Sequence, residues 1–341
     1  PAEINDNDYI ISDTKRKITQ LAIEKKKLPL LPKGTVLLSS RAPIGKVAIT
    51  GKEMYCNQGF KNLICSDEIC NEYLYWYLKS KKEYLNSLGR GATFKEISKK
   101  IVENIEIKLP EIERQRKIVD KLKKVDKIIQ RRKNQSRLLD VVVQARFVEM
   151  FGDPIINNMS WPESTIGDGC FVTKLAGFEY SKYIEYDDTG DVVMVKAQNV
   201  KNGTLNRKDL SFISNEVSDA LPRSQLLPGD VVMTYVGANI GDVALIDDKY
   251  KYHLAPNVAK IRVDAKIYNS VYFMYMLMFL NSYIVKNSAD TAKAALGMER
   301  IRKLKVFIPT YDLQNQFAAF VQQVNKSKFV IHKFLYCTTH N

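Results

Sequence analysis

The sequence repeats itself at long range. Residues 30–49 read LLPKGTVLLSSRAPIGKVAI, and residues 226–246 read LLPGDVVMTYVGANIGDVALI. Both stretches begin with a Leu-Leu-Pro turn, pass a glycine, enter a β-branched run and close on Ile-Gly-x-Val-Ala. The shift is 195 residues between Gly34 and Gly229, and it is 196 residues between Gly45 and Gly241. Because this period lies far above the ~20–50 residues of solenoid repeats, it indicates two duplicated domains.

Further matches extend the repeat over most of the chain. Residues 71–78 (NEYLYWYL) correspond to residues 269–277 (NSVYFMYML), and both aromatic-rich segments are predicted to be buried helices. Residues 102–110 (VENIEIKLP) correspond to residues 301–309 (IRKLKVFIP) at a shift of 199 residues. Each of these is predicted to be an alternating strand ended by proline, which cannot continue the ladder.

A helix is predicted after each of the two prolines. Both halves place a glutamine at the same shift, Gln115 and Gln314, and apolar residues then recur at intervals of four and three. This spacing is that of a coiled-coil seam. The predicted seam comprises Ile118, Leu122, Val125 and Ile129 in the first helix and Phe317, Val321 and Val324 in the second. A surface helix with an imperfect apolar stripe is the alternative.

The first helix is predicted over residues 111–151, which gives a rod of about 60 Å at 1.5 Å per residue. The predicted order is therefore globule, long helix, globule, helix, in the α+β class with two duplicated α/β globules. We assign residues 1–110 to the first globule, 111–155 to the central helix, 156–309 to the second globule and 310–341 to the C-terminal helix. The first globule has the shorter opening segment, so it is expected to be incomplete at its N-terminus, and the last helix is expected to be cut short.

The net charge and the composition limit the kinds of partner and site that this chain is expected to have. The formal net charge of +14 favours binding to polyanions, of which nucleic acid is the first candidate. Five cysteines without a Cys-x-x-Cys pair, together with only three histidines, favour reduced thiols in the cytoplasm and no metal site. The longest apolar run, at residues 271–280, is too short to span a membrane.

The order of these motifs resembles the specificity (S) subunit of type I restriction–modification systems. The resemblance is carried by LPKGTVLLSSRAPIGKVAI, YCNQGFKNL, IEIKLPEIERQRKIV, FGDP with MSWP, LLPGDVVMTYVGANIGDVALI and VFIPTYDLQNQFAAFV, which together touch most of the chain. It implies two target-recognition domains, each reading one half of a split site in double-stranded DNA. The two helices would pack antiparallel as a spacer of fixed length.

The same resemblance implies partners rather than catalysis by this chain. Two methyltransferase (modification) subunits would dock on the spacer, and S-adenosylmethionine would be bound by them, so that this chain binds no cofactor itself. Whether restriction/translocase subunits join the assembly is left open.

Candidate base-reading residues follow from side-chain chemistry, because Arg and Lys fork toward guanine and Asn and Gln toward adenine. They are taken from the loops within and beside the repeated stretches. In the first half they are Arg41, Lys46, Asn57, Gln58, Lys61 and Arg90. In the second half they are Lys174, Tyr180, Lys196, Gln198, Asn199, Tyr235, Asn239 and Asn257. The competing interpretation is that these Asn and Gln residues only form turns.

Three other functions compete with this interpretation. The chain has no Pro-Pro dipeptide, so the amine-binding motif of a DNA methyltransferase is missing and no catalytic residue is assigned. A metal-dependent nuclease would need clustered carboxylates with a lysine, for which Asp230, Asp242, Asp247 and Lys249 are the candidates. A coiled-coil scaffold for acidic proteins would explain the charge and the helices but not the duplicated loops.

Overall fold

A computed structural model describes residues 2–6, 8–90, 95–288 and 295–339. The chain divides into two compact units, residues 1–131 and 132–341, and one 40-residue helix contributes to both. Within the described ranges, no helix combines the length and the apolar character that crossing a membrane requires.

The first unit is built on one four-stranded sheet. Its strands are β1 (Ile10–Ile11), β2 (Val36–Ser39), β3 (Val47–Thr50) and β4 (Phe60–Leu63). Its helices are α1 (Gln20–Lys26), α2 (Asn71–Ser80), α3 (Lys82–Ser87), α4 (Lys99–Glu103) and the first half of α5 (Ile112–Phe151). The strand order is β1-β3-β2-β4, with β2 antiparallel to both of its neighbours.

The core of the first unit lies between this sheet and α2. Val36, Leu38 and Ile49 from the strands pack with Tyr75 and Leu78, which confirms that the aromatic-rich segment is a buried helix. The strand predicted over residues 102–110 is wrong, because α4 occupies its start and no strand follows in the described residues. In its counterpart, residues 301–309, a helix (Met298–Arg302) likewise occupies the start, and only Lys305–Phe307 form a strand, which pairs antiparallel with residues 163–165.

The second unit is larger and contains two four-stranded sheets. Its strands are β5 (Glu163–Thr165), β6 (Cys170–Lys174), β7 (Val192–Val195), β8 (Val200–Lys201), β9 (Thr204–Leu205), β10 (Phe212–Ile213), β11 (Gln225–Leu226), β12 (Val231–Thr234), β13 (Val243–Leu245), β14 (Lys251–Leu254), β15 (Val258–Val263) and β16 (Lys305–Phe307). Its helices are α6 (Ile166–Gly169), α7 (Gly177–Tyr183), α8 (Asn215–Ala220), α9 (Ser270–Phe279), α10 (Asn281–Ser288), α11 (Met298–Arg302) and α12 (Tyr311–Thr339), besides the second half of α5. The sheet orders are β13-β12-β15-β6 and β10-β7-β14-β11.

The sheet β13-β12-β15-β6 repeats three strands of the first unit's sheet, because β13, β12 and β15 correspond to β3, β2 and β4. The fourth strand differs: it is β1 beside β3 in the first unit and β6 beside β15 in the second. Val232 pairs with Lys260 across β12 and β15, as Leu37 pairs with Asn62 across β2 and β4. The second sheet packs against this one through a separate apolar cluster that includes Val232. The duplication in sequence is therefore a duplication of structure, and the second unit carries an additional layer.

The second half of α5 packs antiparallel against α12. Phe147 meets Phe317 edge-on, with the ring centroids 5.4 Å apart, and Val321 is buried in the same core cluster. Toward the other end of the pairing, Ser136 Oγ lies 3.1 Å from His332 Nε2. Residues later in α5 therefore contact residues earlier in α12, and the Ser136 hydroxyl has a polar partner.

The predicted seam is only partly buried. Phe317, Val321 and Val324 are buried as predicted. Leu122 and Val125 are exposed, which corrects the prediction for these two residues; Ile118 and Ile129 are half-buried. The physical reason is the position of the partner helix, because α12 contacts α5 within the second unit, over residues 132–151.

Candidate nucleic-acid interface

One end of the first unit's sheet gathers several of the predicted base-reading residues. Strand β2 ends where β4 begins, and the Ser40 N–H donates to the carbonyl of Gly59 at 2.8 Å. The Ile97 N–H donates in turn to the Ser40 carbonyl at 3.0 Å. These backbone bonds bring Arg41, which follows β2, beside Lys61 in β4 and the segment around Glu96.

A carboxylate that the sequence analysis missed lies at the centre of this group. Glu96 Oε2 accepts from Arg41 Nε at 3.0 Å, and Glu96 Oε1 lies 3.3 Å from Lys61 Nζ. Two backbone hydrogen bonds, of 3.1 and 3.0 Å, join Glu96 to Arg90. The hydrogen bond from Arg41 is the main cause that lowers the pKa of the Glu96 carboxyl. We call Arg41, Lys61, Arg90 and Glu96 the charged edge. Glu96 was not predicted, because no sequence pattern around this single glutamate indicates a binding site.

The equivalent end of the second unit's sheet has the same backbone pattern with different side chains. The Tyr235 N–H donates to the Asn257 carbonyl at 3.0 Å, and the Leu296 N–H donates to the Tyr235 carbonyl at 2.8 Å. In the first unit the backbones of Arg41 and Glu96 form an isolated antiparallel β-bridge, and Val236 and Ala295 form the matching β-bridge here. The carboxylate of the first unit is therefore replaced by a methyl group in the second.

A lysine and a tyrosine provide the chemistry at this second edge. Lys174 ends β6 beside β15, and its Nζ lies 5.5 Å from the centre of the Tyr235 ring, within cation–π range. Burial raises the pKa of the Tyr235 phenol, which keeps the hydroxyl a hydrogen-bond donor. We call Lys174, Tyr235 and Asn257 the aromatic edge.

A second group of lysine and tyrosine residues lies on the additional layer of the second unit. Lys196 Nζ donates to Ser211 Oγ at 2.8 Å and lies 5.7 Å from the Tyr186 ring centre. Tyr180 lies beside Tyr186, with 6.0 Å between ring centroids. The Ala255 N–H bonds the Val195 carbonyl at 3.2 Å, so the loop that carries Lys196 adjoins the loop that carries Asn257.

The structure removes one predicted residue from the recognition set and weakens two. Asn199 is buried, accepts from the Lys196 N–H at 3.0 Å and donates to the carbonyls of Asn206 and Lys208, so it shapes the loop and has no amide group left to read a base. Lys46 is half-buried and donates to the Ile4 carbonyl at 2.7 Å. Asn57 is exposed but accepts from the Gly59 N–H at 3.0 Å, as in a turn.

The remaining candidates lie on loops near the two edges. Gln58 is exposed just before β4, and Gln198 is exposed with its Nε2 3.5 Å from the Asp209 carbonyl oxygen. Asn239 is half-buried in the turn between β12 and β13. These three side chains stay candidates for base contact.

Two of the three carboxylates considered for a nuclease are held by arginines. Asp230 is buried and accepts from Arg262 Nε at 2.6 Å and Nη2 at 2.7 Å. Asp247 pairs with Arg207 and accepts from the Tyr252 hydroxyl at 2.7 Å. Among the residues with described positions, no three acidic, His or Cys side chains cluster as metal ligands would. Asp230 and Asp247 therefore stabilise the fold.

Known proteins are similar to this chain in sequence and in architecture. The sequence model of the type I restriction modification DNA specificity domain matches residues 2–136 and 158–335. The type I restriction enzyme MjaIX specificity subunit of Methanocaldococcus jannaschii is 28% identical over 343 residues, which cover 94% of this chain and 78% of that protein.

Two solved structures have the same fold at low sequence identity. The type I restriction–modification S subunit from M. genitalium superposes with a TM-score of 0.55 at 16% identity, covering 99% of this chain and 87% of that one. A chain from a structure on complex assembly and conformational transition of the type I R-M system gives 0.56 at 17% identity, covering 91% and 78%. The chain therefore belongs to the type I restriction–modification DNA specificity family, whose role is recognition of a DNA sequence rather than catalysis.

Proposed function

We propose that the charged edge and the aromatic edge each read one half of a split target in double-stranded DNA. The observation that carries this proposal is the pair of equivalent sheet ends, with one backbone pattern and two different sets of side chains. A duplicated scaffold with unlike side chains suits two half-sites of unlike sequence. The recognition domains would be residues 1–110 and 156–309, with the helices 111–155 and 310–341 as the spacer.

In the first domain, Arg41 is the proposed guanine reader. Glu96 holds the guanidinium through Nε, so the two terminal nitrogens are left to form a fork with guanine O6 and N7. Lys61 and Arg90 would contact phosphates or further base edges, with Gln58 beside them. Glu96 would act as a positioning residue, because a guanidinium that is fixed before binding loses less freedom on binding.

In the second domain, Tyr235 and Asn257 are the proposed base-reading residues, and Lys174 would contact phosphate. Gln198, Asn239, Lys196 and Tyr180 extend this surface. The exposed Phe178 in α7, with 71% of its surface accessible, adds an aromatic face that could stack on a base or sugar.

The partners of the chain follow from its family. We propose that two methyltransferase subunits bind the spacer helices and supply S-adenosylmethionine, and that restriction/translocase subunits complete the assembly when DNA is cut. The purified chain alone is expected to bind DNA and to transfer no methyl group. Methylation by the single chain would contradict this assignment.

The test is methylation of a DNA library by the chain assembled with its methyltransferase subunits. A split target should emerge, with two short defined sequences separated by a fixed number of undefined base pairs. DNA affinity should also fall steeply as salt rises, because phosphate contacts release counterions. Binding without any preferred sequence, or binding to acidic proteins alone, would favour a scaffold instead.

A further inference from the structure

A buried glutamine lies at the root of each spacer helix. Gln115, in the first turn of α5, has no solvent-exposed surface. Its Oε1 accepts from the Cys70 N–H at 2.8 Å, at the start of α2. Its Nε2 donates to the Glu68 carbonyl at 2.9 Å and to the Pro110 carbonyl at 2.8 Å. One side chain therefore joins the spacer helix, the turn before it and the entry to α2.

The second unit repeats this arrangement bond for bond. Gln314, in the first turn of α12, is equally buried. Its Oε1 accepts from the Asn269 N–H at 2.8 Å, at the start of α9, and its Nε2 donates to the carbonyls of Ile267 and Pro309 at 3.0 and 2.9 Å. The glutamine and its three partners all recur at the same shift of 199 residues.

Every hydrogen bond in both sets goes to main-chain atoms. Two of the three partner residues differ between the halves, with Cys70 against Asn269 and Glu68 against Ile267, while the glutamine and the proline are the same. Main-chain partners have fixed positions, and a buried amide with three of them cannot shift without losing a bond. We call each set of three bonds a glutamine clamp.

The glutamine clamp lies at the start of a long helix, so a small change of angle there moves the far end of the helix by a large distance. Helix α5 spans 40 residues, about 60 Å at 1.5 Å per residue. A tilt of about 3° at its first turn therefore displaces its far end by about 3 Å, close to the 3.4 Å rise of one base pair. Because this displacement is sideways to the helix axis, the angle between a recognition domain and its spacer helix must be fixed to within a few degrees if the two domains are to keep one register on the duplex.

We propose that Gln115 and Gln314 are positioning residues that fix the angle between each recognition domain and its spacer helix. In doing so they set the number of base pairs accepted between the two half-sites. The inference rests on the proposed two-reader function, and it concerns the spacing of the half-sites rather than their sequence. Neither glutamine touches DNA in this scheme, because both are buried.

The experiment measures methylation of a library in which the central spacer varies by one base pair at a time. The variants are Gln115→Met and Gln314→Met, which leave two carbonyls and one N–H without partners, in a chain assembled with its methyltransferase subunits. We expect use of spacers one base pair longer or shorter to rise at least threefold relative to the preferred length. The base preference within each half-site should stay unchanged, which separates a positioning role from general loss of structure.

Matched controls are Gln144→Met and Gln316→Met, which alter exposed glutamines on the same two helices. Hydrogen exchange reports the clamp itself, because the amides of Cys70 and Asn269 should exchange at least tenfold faster when the acceptor is lost. Faster exchange with an unchanged spacer profile would overturn the proposal.

Gln115→Glu and Gln314→Glu provide the second test if either methionine variant melts below the assay temperature. They keep the acceptor but replace the donors with a carboxylate oxygen facing carbonyls, so the spacer profile should again broaden. An unchanged profile in these variants would equally refute the clamp. If the unmodified chain prefers no spacer length at all, it is the two-reader function that fails.

Discussion

The two spacer stretches carry the same apolar pattern and have different surroundings. Leu122 and Val125 in α5 correspond to Val321 and Val324 in α12, each pair separated by 199 residues. Leu122 and Val125 are 36% and 45% exposed, whereas Val321 and Val324 are 3% and 8% exposed. The pattern fixes which face of a helix is apolar, and the helix lying opposite decides whether that face is buried.

The charged edge and the aromatic edge have equivalent backbones but different side chains. Backbone hydrogen bonds place Ser40 and Tyr235 equivalently, yet one edge holds a carboxylate between two cations and the other holds a lysine over a tyrosine. The scaffold is duplicated and the chemistry has diverged. Each of the following changes is chosen because it should affect one half of the molecule and spare the other.

The largest effect is expected when a charge is introduced into the buried seam. Val321→Asp places a carboxylate among apolar side chains without a partner, which should lower the free energy of unfolding by about 3–5 kcal/mol. Its counterpart Leu122→Asp should change it by at most about 1 kcal/mol, because that side chain already meets solvent. Thermal and denaturant unfolding of both variants measures the difference. Equal destabilisation would mean that the first seam is also covered in solution.

The next effect concerns base recognition at the charged edge. Arg41→Ala should cost about 1–3 kcal/mol of discrimination at one position of the first half-site, because a bidentate base contact is lost. The second half-site should keep its sequence. Tyr235→Ala should do the reverse, and each variant is the control for the other. Methylation of libraries randomised in either half measures the effect, and a variant that scrambles both halves equally would contradict two separate readers.

A pH effect is expected in the second unit alone. Lys260 is buried, and its Nζ donates hydrogen bonds to the carbonyls of Arg223 and Gln225. Burial lowers the pKa of its ammonium group to about 8. The equivalent residue of the first unit, Asn62, is exposed and has no titratable group. Above that pH the folded chain releases a proton that the unfolded chain still binds, so stability rises with pH.

The expected gain for Lys260 is about 1.5 kcal/mol between pH 8 and pH 9.5. Lys260→Met should abolish this slope, and Asn62→Met should leave it in place. Unfolding measured at a series of pH values in this range tests both variants. A slope that persists in Lys260→Met would assign the proton to another group.

The smallest effect is expected at Glu96. Replacing it by Gln removes one negative charge from the charged edge and loosens Arg41, so non-specific DNA affinity should rise only about two- to fivefold, because solvent screens this exposed ion pair. Discrimination at the first half-site should fall slightly at the same time. Glu53→Gln, at the other end of the same sheet and exposed, is the matched control. A change in the second half-site would be inconsistent with a local role.

Much of the fold could be predicted because repeats and periodicities are local properties of the chain. The aromatic helices α2 and α9 and the long helix α5 follow from apolar spacing, and α5 begins one residue from its predicted start. The additional layer of the second unit, with β7 parallel to β14, was not predicted, because pairing between strands about 60 residues apart leaves no periodic signal.

The candidate sites were predicted less completely than the fold. Residue type pointed to Arg41, Tyr235 and Asn199 alike, but burial separated the last from the other two. Glu96 was missed, since a carboxylate becomes informative only when two cations are seen to contact it. The two glutamines were visible as a repeat, and their role became apparent only with their main-chain partners.

The sequence by itself determined that this chain is two copies of one unit, each joined to an amphipathic helix, in a basic protein of the DNA specificity family. The tertiary structure decided which apolar faces are buried, which polar side chains are available to DNA, and which carboxylates are already paired. The physical reason is the range of the interactions. Helix periodicity and turn chemistry act over a few residues, whereas burial and ion pairing depend on groups that only folding brings together.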